Sequence, residues 1–122
     1  MNNNMNKESF NNSCYINHVM NQFSEKTGLD IEDCIEVYED FYKYITSTLE
    51  TLKNTIVSED YILVRYTAHN LKGAAGTLIL ESIKIIASEI ELAAINMDCN
   101  KIKELIVNLE EIYKSLLTKI EK

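Results

Sequence analysis

The sequence predicts an all-α fold, an antiparallel up-down-up-down four-helix bundle with an additional short N-terminal helix. Three observations predict it. Proline is absent and glycine occurs only at Gly28, Gly73 and Gly76, so few breakers interrupt the chain. Apolar residues recur in alternating steps of four and three along four long segments, the spacing of one buried helix face, and nothing alternates for long with the period of a strand. The links between these segments are short, and short links join antiparallel neighbours.

The first 13 residues are polar and asparagine-rich and are expected to be disordered, leaving 14–122 as the helical bundle domain. Tyr15, Ile16, Val19, Met20 and Phe23 then repeat at helical spacing up to a break at Gly28, which predicts a short first helix. Cys14 and His18 stand four apart on it, but no further ligand pattern joins them, so no metal site is assigned. Asp30 is a candidate N-cap with Glu32 and Asp33 in the first turn, where acids suit the helix dipole. From there Ile31, Ile35, Tyr38, Tyr42, Ile45, Leu49, Leu52 and Ile56 form a seam widened by Cys34 and Phe41. Aromatics at this spacing are core residues first, although Tyr38, Phe41 or Tyr42 could help receive a partner.

Ser58 carries the capping signal for the next helix, with Glu59 and Asp60 in its first turn. Val64, Ala68, Leu71, Ala75 and Leu78 are its seam, and it should end between Thr77 and Leu80. Ile83, Ala87, Ile90, Ala94 and Met97 mark the following helix, Asp98 to Asn100 a turn, and Ile102, Leu105, Leu109, Ile112, Leu116 and Ile120 the last helix.

Composition narrows the function classes. The 122 residues, 46% of them hydrophobic, suffice for one compact domain with a modest core. A net charge of −7 with a single arginine, Arg65, disfavours nucleic acid, whose phosphates demand a basic stripe. No apolar run reaches the length of a membrane span, and the polar start lacks the apolar stretch of a secretory signal, so a cytoplasmic protein is expected. Cys14, Cys34 and Cys99 form no CxxC pair and fit reduced packing thiols. Four seams within one chain make a monomer sufficient.

One histidine stands out. His69 shares a helix face with Arg65 and Tyr66 behind it and with Lys72, Gly73 and Gly76 ahead. Each mid-helix glycine costs roughly 1 kcal/mol relative to alanine. Two of them beside one imidazole keep that surface open to another molecule. His69 lies beside the buried seam and not on it.

Ala68, His69, Leu71, Lys72, Gly73, Ala75 and Gly76 match a signature close to Ala-His-x-Leu-Lys-Gly followed by small residues. Here the chain resembles the histidine-containing phosphotransfer domain, and the likeness to a helical bundle runs from about Asp30 to the C-terminus. The resemblance implies that His69 accepts a phosphoryl group, that Lys72 stabilises it, and that the chain relays it between receiver-domain aspartates in two-component signalling. Response-regulator receiver domains, including that of a hybrid sensor histidine kinase, are the implied partners. The chain would be a phosphoryl-carrying substrate and not an enzyme, with no cofactor of its own and with magnesium in the partner. One departure stands out: many members carry glycine ten residues after the histidine, where this chain has Ile79.

A neutral imidazole attacks through one nitrogen while the other holds a proton, and the acceptor of that proton fixes the tautomer. Glu91, on the next helix at a position where the family often has glutamate or glutamine, is the candidate acceptor. Ile62, Arg65, Tyr66, Gly73 and Gly76 are the expected docking face around His69. The competing reading is a helical module that binds receiver domains without being phosphorylated. A kinase core is a third, but no glycine-rich phosphate loop is present.

Overall fold

The structure is a computed structural model that describes residues 3–120, with side chains for residues 15–116. Five helices follow in order: α1 (Asn3–Thr27), α2 (Ile31–Val57), α3 (Tyr61–Thr77), α4 (Glu81–Ile95) and α5 (Cys99–Ile120). There is no strand among the described residues. α1 is 25 residues long, not the short helix expected. No proline or glycine interrupts it before Gly28, where φ reaches +83° and the helix stops. The polar stretch expected to be disordered lies outside the described residues at positions 1 and 2 and, for its side chains, throughout; from Asn3 its backbone is part of α1.

α3 packs on α4, α4 on α5, and α2 on both α3 and α5, while α1 lies against α2 and α5. One core joins them. The α3 seam is buried at Val64, Ala68, Leu71, Ala75 and Leu78, as its spacing predicts. In α2 the seam starts at Cys34: Ile31 and Ile35 are exposed, while Tyr38, Phe41 and Tyr42 are buried and offer no surface to a partner. They are core aromatics. Phe23 of α1 meets Tyr38 edge to face, and the Tyr38 hydroxyl donates to the Leu78 carbonyl at 2.5 Å, tying α2 to the end of α3. In α4 the seam keeps Ile83, Ala87, Ile90 and Ala94, but Met97 is exposed in the following turn. In α5 Ile102, Leu105, Leu109 and Leu116 are buried and Ile112 is packed at the core's edge. The Ile120 side chain lies outside the described residues.

The last three links share one design. After α2, the Asp60 N–H donates to the Thr55 carbonyl at 2.9 Å and the Glu59 N–H to Ile56 at 3.0 Å, the paired bonds of a Schellman cap. Leu80 with Ala75 and Ile79 with Gly76 repeat the pattern after α3, as do Asp98 with Ala93 and Met97 with Ala94 after α4. Each cap needs one residue in the left-handed region, and these are Glu59, Ile79 and Met97, none of them glycine. The same motif corrects two boundaries. Ser58 is the C-cap of α2, and Asp60 is the N-cap of α3, accepting from the Leu63 N–H at 3.1 Å. Asp98, expected to open a turn, caps α5 directly by accepting from Lys101 at 3.2 Å.

Ile79, ten residues after His69, has φ +62°. A left-handed conformation costs an L-residue roughly 1–2 kcal/mol, and branching at Cβ raises that cost. Against it, the half-buried Ile79 side chain packs on the core, worth about 1 kcal/mol as a fraction of a full burial. Ile79→Gly should therefore unfold in urea within about 1 kcal/mol of wild type, whereas truncating a fully buried isoleucine costs about 2–5 kcal/mol. A loss in that larger range would show that the side chain's packing dominates the backbone strain.

Candidate functional site

His69 projects from the middle of α3 beside the buried seam, with its side chain 61% exposed. Ala68 and Leu71 on either side are fully buried and fix the helix against α4, so the ring's position is set by core packing. Across the α3–α4 interface stands Glu91, flanked by Ile90 in the core and, one turn on, by Ala94. Its side chain is only 15% exposed.

Both Glu91 oxygens are engaged. Oε2 lies 3.0 Å from His69 Nδ1, and Oε1 lies 2.8 Å from Lys72 Nζ. The hydrogen bond from Lys72 first, and that from His69 after it, hold the Glu91 carboxyl below its ordinary value against the opposing effect of burial. An ionised carboxylate only accepts, so the proton at this contact belongs to Nδ1. In the neutral ring this leaves the Nε2 lone pair free on the other edge, the arrangement of a nitrogen nucleophile. Positive charge developing on the ring would meet the carboxylate already in place.

Lys72, the residue expected to stabilise a phosphoryl group, has its ammonium on Glu91 and its side chain one third exposed. A shallow depression beside the ring is lined by Ile62, Arg65, Tyr66, His69 and Glu91, without Lys72. The Arg65 side chain makes no hydrogen bond or ion pair with any described residue. Ile62 and Tyr66 are exposed at 84% and 64%, large apolar groups beside a polar centre.

The two glycines differ. A Cβ built at Gly73 meets nothing within 4 Å, so the surface there is open. At Gly76 it would rest 3.6 Å from the Lys84 side chain, which covers that position, so the bare surface is narrower than the spacing implies. The sequence reading missed Leu92 and Ile95, which are exposed on α4 and line a second depression with Ser88, Glu89 and Glu91. Glu91 lines both depressions. The available signal for Leu92 and Ile95 was their offset from Glu91: one and four residues on, off the Ile83–Ala87–Ile90–Ala94 seam.

Among the described residues no group of three metal-ligating side chains comes together, and the Cys14 side chain, one half of the unassigned Cys14–His18 pair, lies outside them. Cys34 is buried and Cys99 half-buried, both as free thiols. No helix of the described residues is long and apolar enough to cross a membrane. Compared with protein-family models, with curated proteins and with solved structures, the chain matches none of them.

Proposed function

We propose that the chain is a phosphorelay carrier of the histidine-containing phosphotransfer type, built as an up-down-up-down four-helix bundle of α2 to α5 with α1 added. The observation that carries the reading is the contact of His69 Nδ1 with an ionised Glu91 on a ring otherwise open to solvent. The run from Ala68 to Gly76, with its resemblance to that family, supports it from the sequence side.

In the reaction, the Nε2 lone pair of His69 attacks the phosphorus of an aspartyl phosphate on a receiver domain. The bond from phosphorus to the aspartyl oxygen breaks, and the carboxylate leaves with that electron pair. Nδ1 keeps its proton, bonded to Glu91. The reverse step delivers the phosphoryl group to the aspartate of another receiver domain. Phosphoryl transfer asks the protein mainly for position and charge stabilisation, so the partner can supply both the aspartate and the magnesium. This chain supplies the nucleophile and a docking face of Ile62, Tyr66, Gly73, Leu92 and Ile95. A receiver domain of a hybrid sensor histidine kinase is the proposed donor.

The test is incubation of the purified chain with a phosphorylated receiver domain. An acid-labile, base-stable label should move onto the chain; a folded chain that takes no label from any receiver contradicts the reading.

Gly73 provides a second check on docking. Because its missing Cβ faces open space, Gly73→Ala should raise stability by about 0.5–1 kcal/mol in urea unfolding through helix propensity alone. Gly73→Trp should remain folded yet slow transfer from the receiver roughly tenfold, by holding the partner away from the ring. Equal losses of fold and transfer in the tryptophan variant would refute an open contact surface at this position.

A further inference from the structure

We propose that Arg65, and not Lys72, is the cation that receives the phosphoryl oxygens at His69, and that Lys72 is a positioning residue acting through Glu91. The assignment rests on the phosphorelay reading and divides its two cations between two tasks.

Lys72 is already committed. Its ammonium sits 2.8 Å from Glu91 Oε1, and that carboxylate is mostly buried. Turning Lys72 toward a phosphoryl group would strip one oxygen of this mostly buried carboxylate of its partner, and leaving such a charge unpaired is costly. Held where it is, Lys72 fixes the carboxylate plane, so that Oε2 stays aimed at Nδ1. It thereby governs the ring's tautomer without touching phosphorus.

Arg65 has the complementary properties. It stands one turn before His69 on the same face of α3, a spacing that brings side chains together. Both residues line the same depression, whose other walls are Ile62, Tyr66 and Glu91. The guanidinium is exposed, with no bond to any described residue to give up. Its planar fork can hold two phosphoryl oxygens at once, which an ammonium cannot. It is also the only arginine in a chain of net charge −7.

Phosphoramidate, a small phosphoryl donor, tests this without a protein partner. Nε2 attacks its phosphorus, the phosphorus–nitrogen bond breaks, and the donor nitrogen leaves as ammonia. The full-length wild type, Arg65→Gln, Arg65→Lys and Lys72→Gln are each followed by ³¹P NMR for phosphohistidine and by ¹⁵N NMR for the imidazole tautomer. Arg65→Gln should slow labelling roughly tenfold, the size of one lost charge-assisted hydrogen bond, with the ring ¹⁵N shifts unchanged. Arg65→Lys should recover part of that rate, and Lys72→Gln should move the ring shifts. Labelling of Arg65→Gln at the wild-type rate overturns the Arg65 assignment. Slowed labelling of Lys72→Gln with unmoved ring shifts places Lys72 on the phosphoryl group and overturns its positioning role. A folded wild type that gains no phosphoryl group on His69 refutes the nucleophile itself, an outcome distinct from the other two.

Discussion

His69→Gln is expected to leave the bundle folded and to abolish phosphoryl acceptance. The ring is 61% exposed and contributes nothing to the core, so its removal costs the fold little. What is lost is the hydrogen bond to Glu91, a cost of about 1 kcal/mol. The chemistry has no substitute. Glutamine presents an amide in place of the imidazole lone pair, and the only other histidine, His18, is on α1, which packs on α2 and α5 and not on the α3–α4 face. Urea unfolding and labelling by a phosphorylated receiver domain measure the two halves separately. A variant that still takes an acid-labile label would place the nucleophile elsewhere. One that loses the label but binds the receiver as tightly as wild type is expected, since Ile62, Tyr66 and Gly73 are intact.

Glu91→Leu is the second large effect. It removes the acceptor of Nδ1–H and frees Lys72 together, so the ring samples both tautomers and the developing positive charge loses its counter-ion. Removing the carboxylate that orients a metal-bound imidazole typically costs 10–100-fold in activity, and transfer should fall by a similar factor here. Glu91→Gln keeps an acceptor oxygen and should lose less. A transfer rate unchanged in Glu91→Leu would show that the contact is a surface ion pair with no part in the reaction.

The same carboxylate predicts a pH dependence. Its pKa is depressed in the folded chain, chiefly by the hydrogen bond from Lys72. A depressed pKa means that the stabilisation is fully present above the unfolded-state value and is lost as the pH falls through the folded one. The stability difference between wild type and Glu91→Gln should therefore shrink as the pH falls below the ordinary 4.5. Urea unfolding at a series of pH values measures it; a difference that does not change with acidification would mean that the ion pairs do not stabilise the fold.

Helix faces were legible where burial repeats with the helical period. The α3 seam from Val64 to Leu78 is buried at every position named, because four-three spacing is a direct imprint of packing. Helix ends were less legible. Their signals are glycines and capping side chains, and beyond Gly28 the left-handed positions hold Glu59, Ile79 and Met97, while Leu80 opens α4 with no side-chain cap at all. These caps are closed by backbone hydrogen bonds, which leave little trace in residue type. The long α1 was hidden for the same reason in reverse: nothing in its polar first half forbids a helix, and nothing there repeats.

At the site, the facing of His69 and Glu91 followed from antiparallel helices on either side of a short turn. The position of Lys72 did not. A lysine has four side-chain torsions and enough reach to choose between a solvent-side anion and a carboxylate on the next helix, and only the geometry reveals that it takes the latter. Leu92 and Ile95 escaped notice because isolated exposed apolar residues are ordinary. They gain meaning only because Glu91 lines their depression as well as that of Ile62 and Tyr66.

The most direct measurement is to transfer a phosphoryl group from a phosphorylated receiver domain onto the ¹⁵N-labelled wild-type chain and identify the bonded nitrogen by NMR. The account predicts phosphorus on Nε2 of His69, with Nδ1 still protonated against Glu91. Phosphorus on Nδ1, on another residue or on none while the helices remain intact would contradict it.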